Sequence, residues 1–304
     1  MSGTYGPSDE AQARATIDRA IELGVTLFDT ADVYGNGENE ELVGRLLRDR
    51  RERIVLATKF GRQHDAAGRP SGVCGRPDYV RSACEASLRR LGTDTIDLYY
   101  YHRVDPDVPI AETVGAMAEL VGAGKVRALG LSEATADQIR AAHDVHAIAA
   151  LQSEYSLFTR IVEDNGVLDA TRACGIALVP YSPLGRGMLT GTVRSVDELA
   201  ANDIRRRHPR FAGENLPRNL QLVDALDAIG SEVGGTRGQV ALAWLLSRGD
   251  DVVPIPGTRT VAHLEENVAA VDLRLTPDQL QRIEALVPKG AAAGSRSSDP
   301  YTVV

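Results

Sequence analysis

Four residues in the first third of the chain could act together: Asp29 and Tyr34 in "LFDTADVYGNGENEELVG", Lys59 in "VLATKFG", and His102 in "IDLYYYHRVDP". Taken singly, each has an ordinary explanation. Asp29 could be a loop or helix-cap aspartate, Lys59 a solvated strand end, and His102 a satisfied core histidine. Three of them, however, close three successive apolar runs, and Tyr34 follows Asp29 by five residues. A phenol with a reference pKa of about 10 donates a proton at neutral pH but is a poor base. A neighbouring ammonium favours the phenolate, and a carboxylate beside the ammonium keeps it charged and oriented. A neutral imidazole can hydrogen-bond a carbonyl oxygen. Such a set would protonate the oxygen of a carbonyl while another group attacks its carbon.

Positioning these groups is the task of a strand and helix alternation. Apolar runs recur at Thr26 to Ala31, Ile54 to Lys59, Ile96 to His102, Val126 to Ser132, Ala147 to Ser153, Ile176 to Ser182 and Val252 to Pro256. Amphipathic helical patterns lie between most of them, at Ala13 to Leu23, Asn39 to Arg48, Pro77 to Leu91, Ile110 to Val121 and Val162 to Cys174. In the second of these, Leu42, Val43, Leu46 and Leu47 share a face. A repeat of roughly 30 residues per unit predicts parallel strands with right-handed crossovers. No Pro-, Gly- or Ser-rich linker divides the chain and no GxGxxG follows the first run, so a (β/α)8 barrel is favoured over a doubly wound sheet. In a barrel, function sits at the C-terminal ends of the strands, here Asp29, Lys59, His102, Ser132, Gln152 and Tyr181. Period-two alternation puts Leu27 with Asp29, Ala57 with Lys59, and Leu98, Tyr100 and His102 on one face each.

One gap is long. About 70 residues separate Ser182 from Val252, including "PLGRGMLTG", "RRRHPR" and helical patterns near Leu220 to Val233 and Gly238 to Ser247. The expected layout is one barrel domain over 1–304, with an insertion at about 183–250 and a closing helix at about 276–287, where Thr276 precedes Pro277.

Composition sets limits on partners. The chain has 304 residues, 43% hydrophobic and 25% charged, as in soluble globular proteins. A formal charge of −8 disfavours nucleic acid or anionic lipid as a main partner, so an anionic ligand would need a local basic site. Cys74, Cys84 and Cys174 have no metal-ligand spacing, and an odd number suits reduced thiols in the cytoplasm. The opening MSGTYGPSDE lacks a leader pattern, and no segment reaches about 18 apolar residues, so neither secretion nor membrane spanning is expected.

The segments "TLFDTADVYGNGENEELVG", "VLATKFG", "IDLYYYHRVDP", "GLSE", "LQSEYSLFTR", "VPYSPLGRGMLTG" and "IPGTRTVAHLEENVAA" resemble, in order and over nearly the whole chain, the signature segments of the aldo-keto reductases. "SEYSLFTR" and "PYSPLGRG" most resemble microbial reductases of the pyridoxal and general aldehyde type. The resemblance implies NADPH-dependent reduction of a small-molecule aldehyde or ketone, with Tyr34 as general acid, Lys59 and Asp29 as its pKa-lowering pair, and His102 orienting the carbonyl. It also implies that Ser132 and Gln152 hold the nicotinamide carboxamide, that Tyr181 stacks on its ring, and that Glu266 and Asn267 meet the adenine. The two loops that usually bind phosphate in such barrels correspond to "PLGRG" and "PGTR". Leu184, Gly185 and Gly187 are accordingly assigned to the pyrophosphate, and Thr258 and Arg259 to a 2′-phosphate, whose pairing with a guanidinium favours NADP over NAD. Glu133 stands where many members carry asparagine, and His263 where many carry arginine. Another reading of the same fold is a redox-sensing regulatory subunit with little turnover.

Family members normally have a strand ahead of the segment that "MSGTYGPSDEAQ" resembles. The expectation is therefore a barrel shortened by about one strand at its N-terminal side, with two edges facing each other beside the cofactor.

Overall fold

The computed structural model describes residues 9–65 and 69–297; the opening segment read above for a leader lies partly outside this range. Helix α1 (Glu10–Glu22) starts on Asp9, whose carboxylate accepts the amides of Ala11 and Gln12 at 2.8 and 3.3 Å. The alternation then runs β1 (Leu27–Asp29), α2 (Glu38–Leu47), β2 (Val55–Phe60), a hairpin of β3 (Arg62–His64) and β4 (Pro70–Val73), α3 (Pro77–Leu91), β5 (Ile96–Tyr101), α4 (Ile110–Gly122), β6 (Val126–Ser132), α5 (Ala136–Val145), β7 (Ile148–Glu154), α6 (Val167–Ala173) and β8 (Ala177–Tyr181). A long excursion carries α7 (Asn215–Asp224), α8 (Asp227–Val233) and α9 (Arg237–Leu246), and the chain continues with α10 (Val261–Ala269) and α11 (Pro277–Leu286). Among the described residues no helix is long and apolar enough to cross a membrane.

The main sheet is parallel in the order β1-β2-β5-β6-β7-β8. Two layers of apolar side chains follow from its period of two. Ala57, Leu98, Tyr100, Ala150 and Val179, with Leu27, Ala128 and Ile255 against them, fill the concave interior. The opposite faces, such as Leu56, Phe60, Tyr99, Leu129, Leu151 and Leu178, pack beneath the helices. Interior filling depends on one small residue: a Cβ on Gly130 would lie 2.4 Å from the Tyr100 ring, so only glycine lets that ring cross the barrel.

The seventh apolar run forms a single bridge, Leu178 to Val252, rather than a strand. Val253 and Ile255 donate their amides to Leu178 and Pro180 of β8 at 2.9 and 3.0 Å. The alternate positions, facing away from β8, are Pro254 and Pro256, which have no amide to offer and blunt that edge. Among the described residues no ladder joins this segment to β1. The architecture is a curled parallel sheet wrapped by helices, with the barrel-like form expected from the alternation.

Two expected helices are shorter. The pattern at Val162 to Cys174 becomes a 3-10 turn and α6, because Gly166 takes φ 77° and restarts the chain. The pattern at Leu220 to Val233 is divided between α7 and α8. The β3 and β4 hairpin was not expected, since its residues carry no apolar alternation.

Candidate active site

Lys59 is fully buried at the end of β2 and bonds the Asp29 carboxylate at the end of neighbouring β1 and the Thr30 carbonyl, the latter at 2.7 Å. Burial opposes its charge, but the Asp29 carboxylate outweighs that, with Tyr34 adding to the effect, and the lysine pKa ends above its ordinary value. Tyr34 is 37% exposed, its ring centre 5.2 Å from the Lys59 ammonium. On its other side stands His102, just beyond β5, with ring centres 6.1 Å apart at 86°. Burial, helped by Arg103 and Lys59, pushes the imidazole pKa well below the usual histidine range, so His102 is neutral at physiological pH. Its Nδ1 is buried without a hydrogen bond. The structure thus brings Asp29, Tyr34, Lys59 and His102 together at one rim.

Across the mouth, Gln152 at the end of β7 donates to Asp29 at 3.0 Å. Ser132, ending β6, accepts a hydrogen bond from Arg103 at 3.1 Å, and Arg103 also donates to the His102 carbonyl at 2.6 Å. Arg103 was not singled out as a site residue in the sequence; its role emerges only once β5 and β6 are neighbours. Tyr181 ends β8 half-buried, its phenol pKa raised by burial and then by Glu133 and Glu154.

Glu133, following Ser132, is turned away from the mouth. It adopts φ 53°, accepts from Ser153 and from the Glu154 amide at 3.2 and 3.0 Å, and pairs with Arg296 at 2.7 and 3.1 Å. Burial opposes its charge, but Arg296 prevails and holds the carboxyl below the usual range. Arg296 carried no sequence signal; it lies 163 residues from its partner. The segment before it is fixed by Asn219, which exchanges bonds of 2.9 and 2.7 Å with the backbone of Ala293.

Among the described residues, four non-glycine residues have positive φ: Asn36, Glu133, Ser182 and Arg186. All follow strand ends on the same rim, where strain of about 1–3 kcal/mol each is characteristically stored. Leu184 to Gly187 forms a tight turn with Gly185 at φ 58° and Gly187 at φ 89°. Their amides donate to the carbonyls of Ser182 and Leu184 at 2.9 and 3.0 Å, so what these glycines offer in this state is close approach rather than two unfilled donors. Arg205 lies beside this turn, its guanidinium 3.4 Å from the Arg186 carbonyl, and Arg259 acts on nearby Asp203. Arg205 and Arg259 thus both act on the Asp203 carboxylate beside this turn.

Thr258 and Arg259 precede α10, whose first turn is capped by Thr260. Within α10, Glu266 accepts from Thr236 at 2.7 Å, and Asn267 is half-buried one position on. A separate cleft of about 630 Å³ opens on the outer side of the Tyr34 loop, lined by Asp32, Asn36, Tyr79 and Arg90 among others; none of the four grouped residues lines it.

Residues 1–288 match the model of the Aldo/keto reductase family. The chain is 46% identical to aldo-keto reductase str7 of Strobilurus tenacellus over 98% of its length and 88% of that protein. It is 43% identical to aldo-keto reductase yakc [NADP(+)] of Schizosaccharomyces pombe, over 97% of its length and 88% of that protein. Its fold superposes on the glycerol dehydrogenase of Gluconobacter oxydans with a TM-score of 0.86 at 28% identity, covering 99% of this chain and 91% of that one. A rim that groups a phenol, an ammonium, a carboxylate and a neutral imidazole, on a curled parallel sheet with these relatives, places the chain in the aldo/keto reductase family.

Proposed function

We propose that this chain reduces an aldehyde or ketone to the alcohol with NADPH, using Tyr34 as the general acid, and runs the reverse reaction on alcohols. The observation that carries the reading is the buried Lys59 ammonium held between Asp29 and Tyr34, with neutral His102 facing the same phenol.

The residues at the rim suit the cofactor. Ser132 accepts from Arg103 and keeps its own proton to give; Gln152 spends an amide N–H on Asp29 and keeps its oxygen to accept. A hydroxyl donor and an amide acceptor are the complement of a carboxamide. Tyr181 supplies an aromatic face beside them, and Leu184, Gly185 and Gly187 would lie along the pyrophosphate. Thr258 and Arg259 would take the 2′-phosphate, with Glu266 and Asn267 at the adenine. Bound NADPH would supply the hydride that adds to the carbonyl carbon.

The chain's own residues handle the proton. Tyr34 gives its hydroxyl proton to the carbonyl oxygen as negative charge develops there. Lys59 stabilises the phenolate left behind, and Asp29 keeps the lysine charged and aimed. His102, being neutral, can donate one ring N–H to the same oxygen without competing as a proton source. These contributions are electrostatic and preorganised, since Lys59 and His102 are both shielded from water.

Replacing Tyr34 by Phe tests this directly. NADPH fluorescence titration should show binding within about twofold of wild type, while reduction of 4-nitrobenzaldehyde falls by about 10²–10⁴-fold, the range for loss of a general acid. Near-normal turnover in Y34F would overturn the assignment.

A further inference from the structure

The loop that carries Tyr34 is tied by backbone bonds from Asp32 to Lys59 and from Tyr34 to Ala31, each at 3.2 Å, and from Asn36 to Val33 at 3.3 Å. Gly35, Asn36 and Gly37 all have positive φ, at 58°, 52° and 97°. Buried polar contacts at its two ends add to these bonds. Thr30 donates to Asn39 at 2.7 Å, and Thr58 donates to Glu40 at 2.6 Å. Thr30 and Thr58 are the chain neighbours of Asp29 and Lys59, so the bonds that seat the start of α2 also fix the strand ends beneath Tyr34. Glu40 is fully buried although it lies in the first turn of a helix. Its second oxygen takes Arg90 of α3 through Nε and Nη2, each at 2.6 Å. Arg90 runs under the loop, so that a Cβ on Gly37 would be 2.6 Å from its Cδ.

Glu40 is buried while Arg90 keeps about a quarter of its side chain exposed, and such a pair adds little net stability because the carboxylate loses its water. Its geometry, however, is exacting: one carboxylate joins β2, α2 and α3 at the end of the loop that carries the phenol. We propose that Glu40, held by Arg90, is a positioning residue that sets the placement of Tyr34 over Lys59 and so contributes to turnover without touching cofactor or substrate. The inference rests on the assignment of Tyr34 as general acid.

A second observation gives the role its own signature. Asp32 lies in the same loop, and burial together with the Glu40 charge raises its carboxyl to about 8, against the opposing effects of Arg90, the Val33 amide and Lys59. Tyr79 of α3 faces it as well. Deprotonation of Asp32 therefore brings a second negative charge to the loop beside Glu40. Removing the Glu40 charge should let Asp32 ionise at lower pH.

The test uses the intact chain with NADPH and 4-nitrobenzaldehyde, comparing wild type, E40Q, R90K and Y34F. In E40Q, kcat should fall about 10- to 100-fold, the scale on which small misplacements act. KM and NADPH affinity should stay within about twofold, and the ionisation near pH 8 in the kcat profile should move acidward by about one unit. R90K keeps the cation and should retain more of the rate than E40Q. Should E40Q fail to fold, R90K alone must still lose kcat without losing NADPH affinity. A folded E40Q, or R90K in its place, with wild-type kcat and pH profile overturns the proposal, and a dead Y34F alongside would leave the general-acid assignment intact. An active Y34F would instead remove that assignment, whatever E40Q does.

Discussion

At the scale of single residues, the chemistry depends on one charge kept in a place that resists it. Lys59 stays protonated because Asp29 and Tyr34 outweigh burial. Replacing Lys59 by Met should lower turnover by at least about a hundredfold and destabilise the fold by about 3–5 kcal/mol, since Asp29 would keep a poorly solvated charge. Steady-state assays and urea melts measure both, and a K59M protein with wild-type rates would sink the role given to the ammonium. Asp29, Lys59 and His102 were legible in the sequence because strand ends and a period of two place side chains on a known face. Arg103 and Arg296 were not, because their contacts depend on which strands are neighbours and on where a distant segment returns.

Elements show a similar division. The parallel strands could be read from apolar runs, whereas their limits were set by local chemistry: prolines at 254 and 256, and Gly166 ahead of α6. The long excursion could be read as a gap with a glycine-rich stretch, a basic patch and two helical patterns, but not as the anchor it provides for the segment around Ala293 and Arg296. Asn219 is fully buried and bonds the Arg210 carbonyl at 3.0 Å as well as both backbone groups of Ala293. Asn219→Ala should cost about 1–3 kcal/mol from the unpaired groups it leaves. Hydrogen exchange should quicken in residues 291–297 while β2 and β5 keep their protection. Unchanged exchange there would mean that contacts other than Asn219, such as Arg296 to Glu133 and His208 to the Arg296 carbonyl, hold the segment.

For the whole molecule, pH is the revealing variable. Burial and then Arg186 lower the His208 pKa to about 4, and burial keeps His102 neutral too. An unfolded histidine protonates at about 6.5. Below that pH the unfolded chain binds protons that the folded one refuses, so stability is complete above about 6.5 and declines on acidification. Asp32, raised to about 8, acts with the opposite sign between its unfolded value near 4 and pH 8, because there the folded chain holds the extra proton. The clean measurement is therefore a difference: urea melts of His208→Gln should lose stability less steeply than wild type between pH 6.5 and 5, by about 1 kcal/mol per pH unit after partial solvent screening. Parallel slopes would contradict the neutral His208. The Gln152 to Asp29 bond has a consequence at this scale as well. It tethers two staves that lie far apart around the curl, on a sheet whose outer staves share no ladder among the described residues. Any redesign that recruits Gln152 for a different coenzyme would slacken that tether, so engineers changing selectivity should leave it alone and work in the loops.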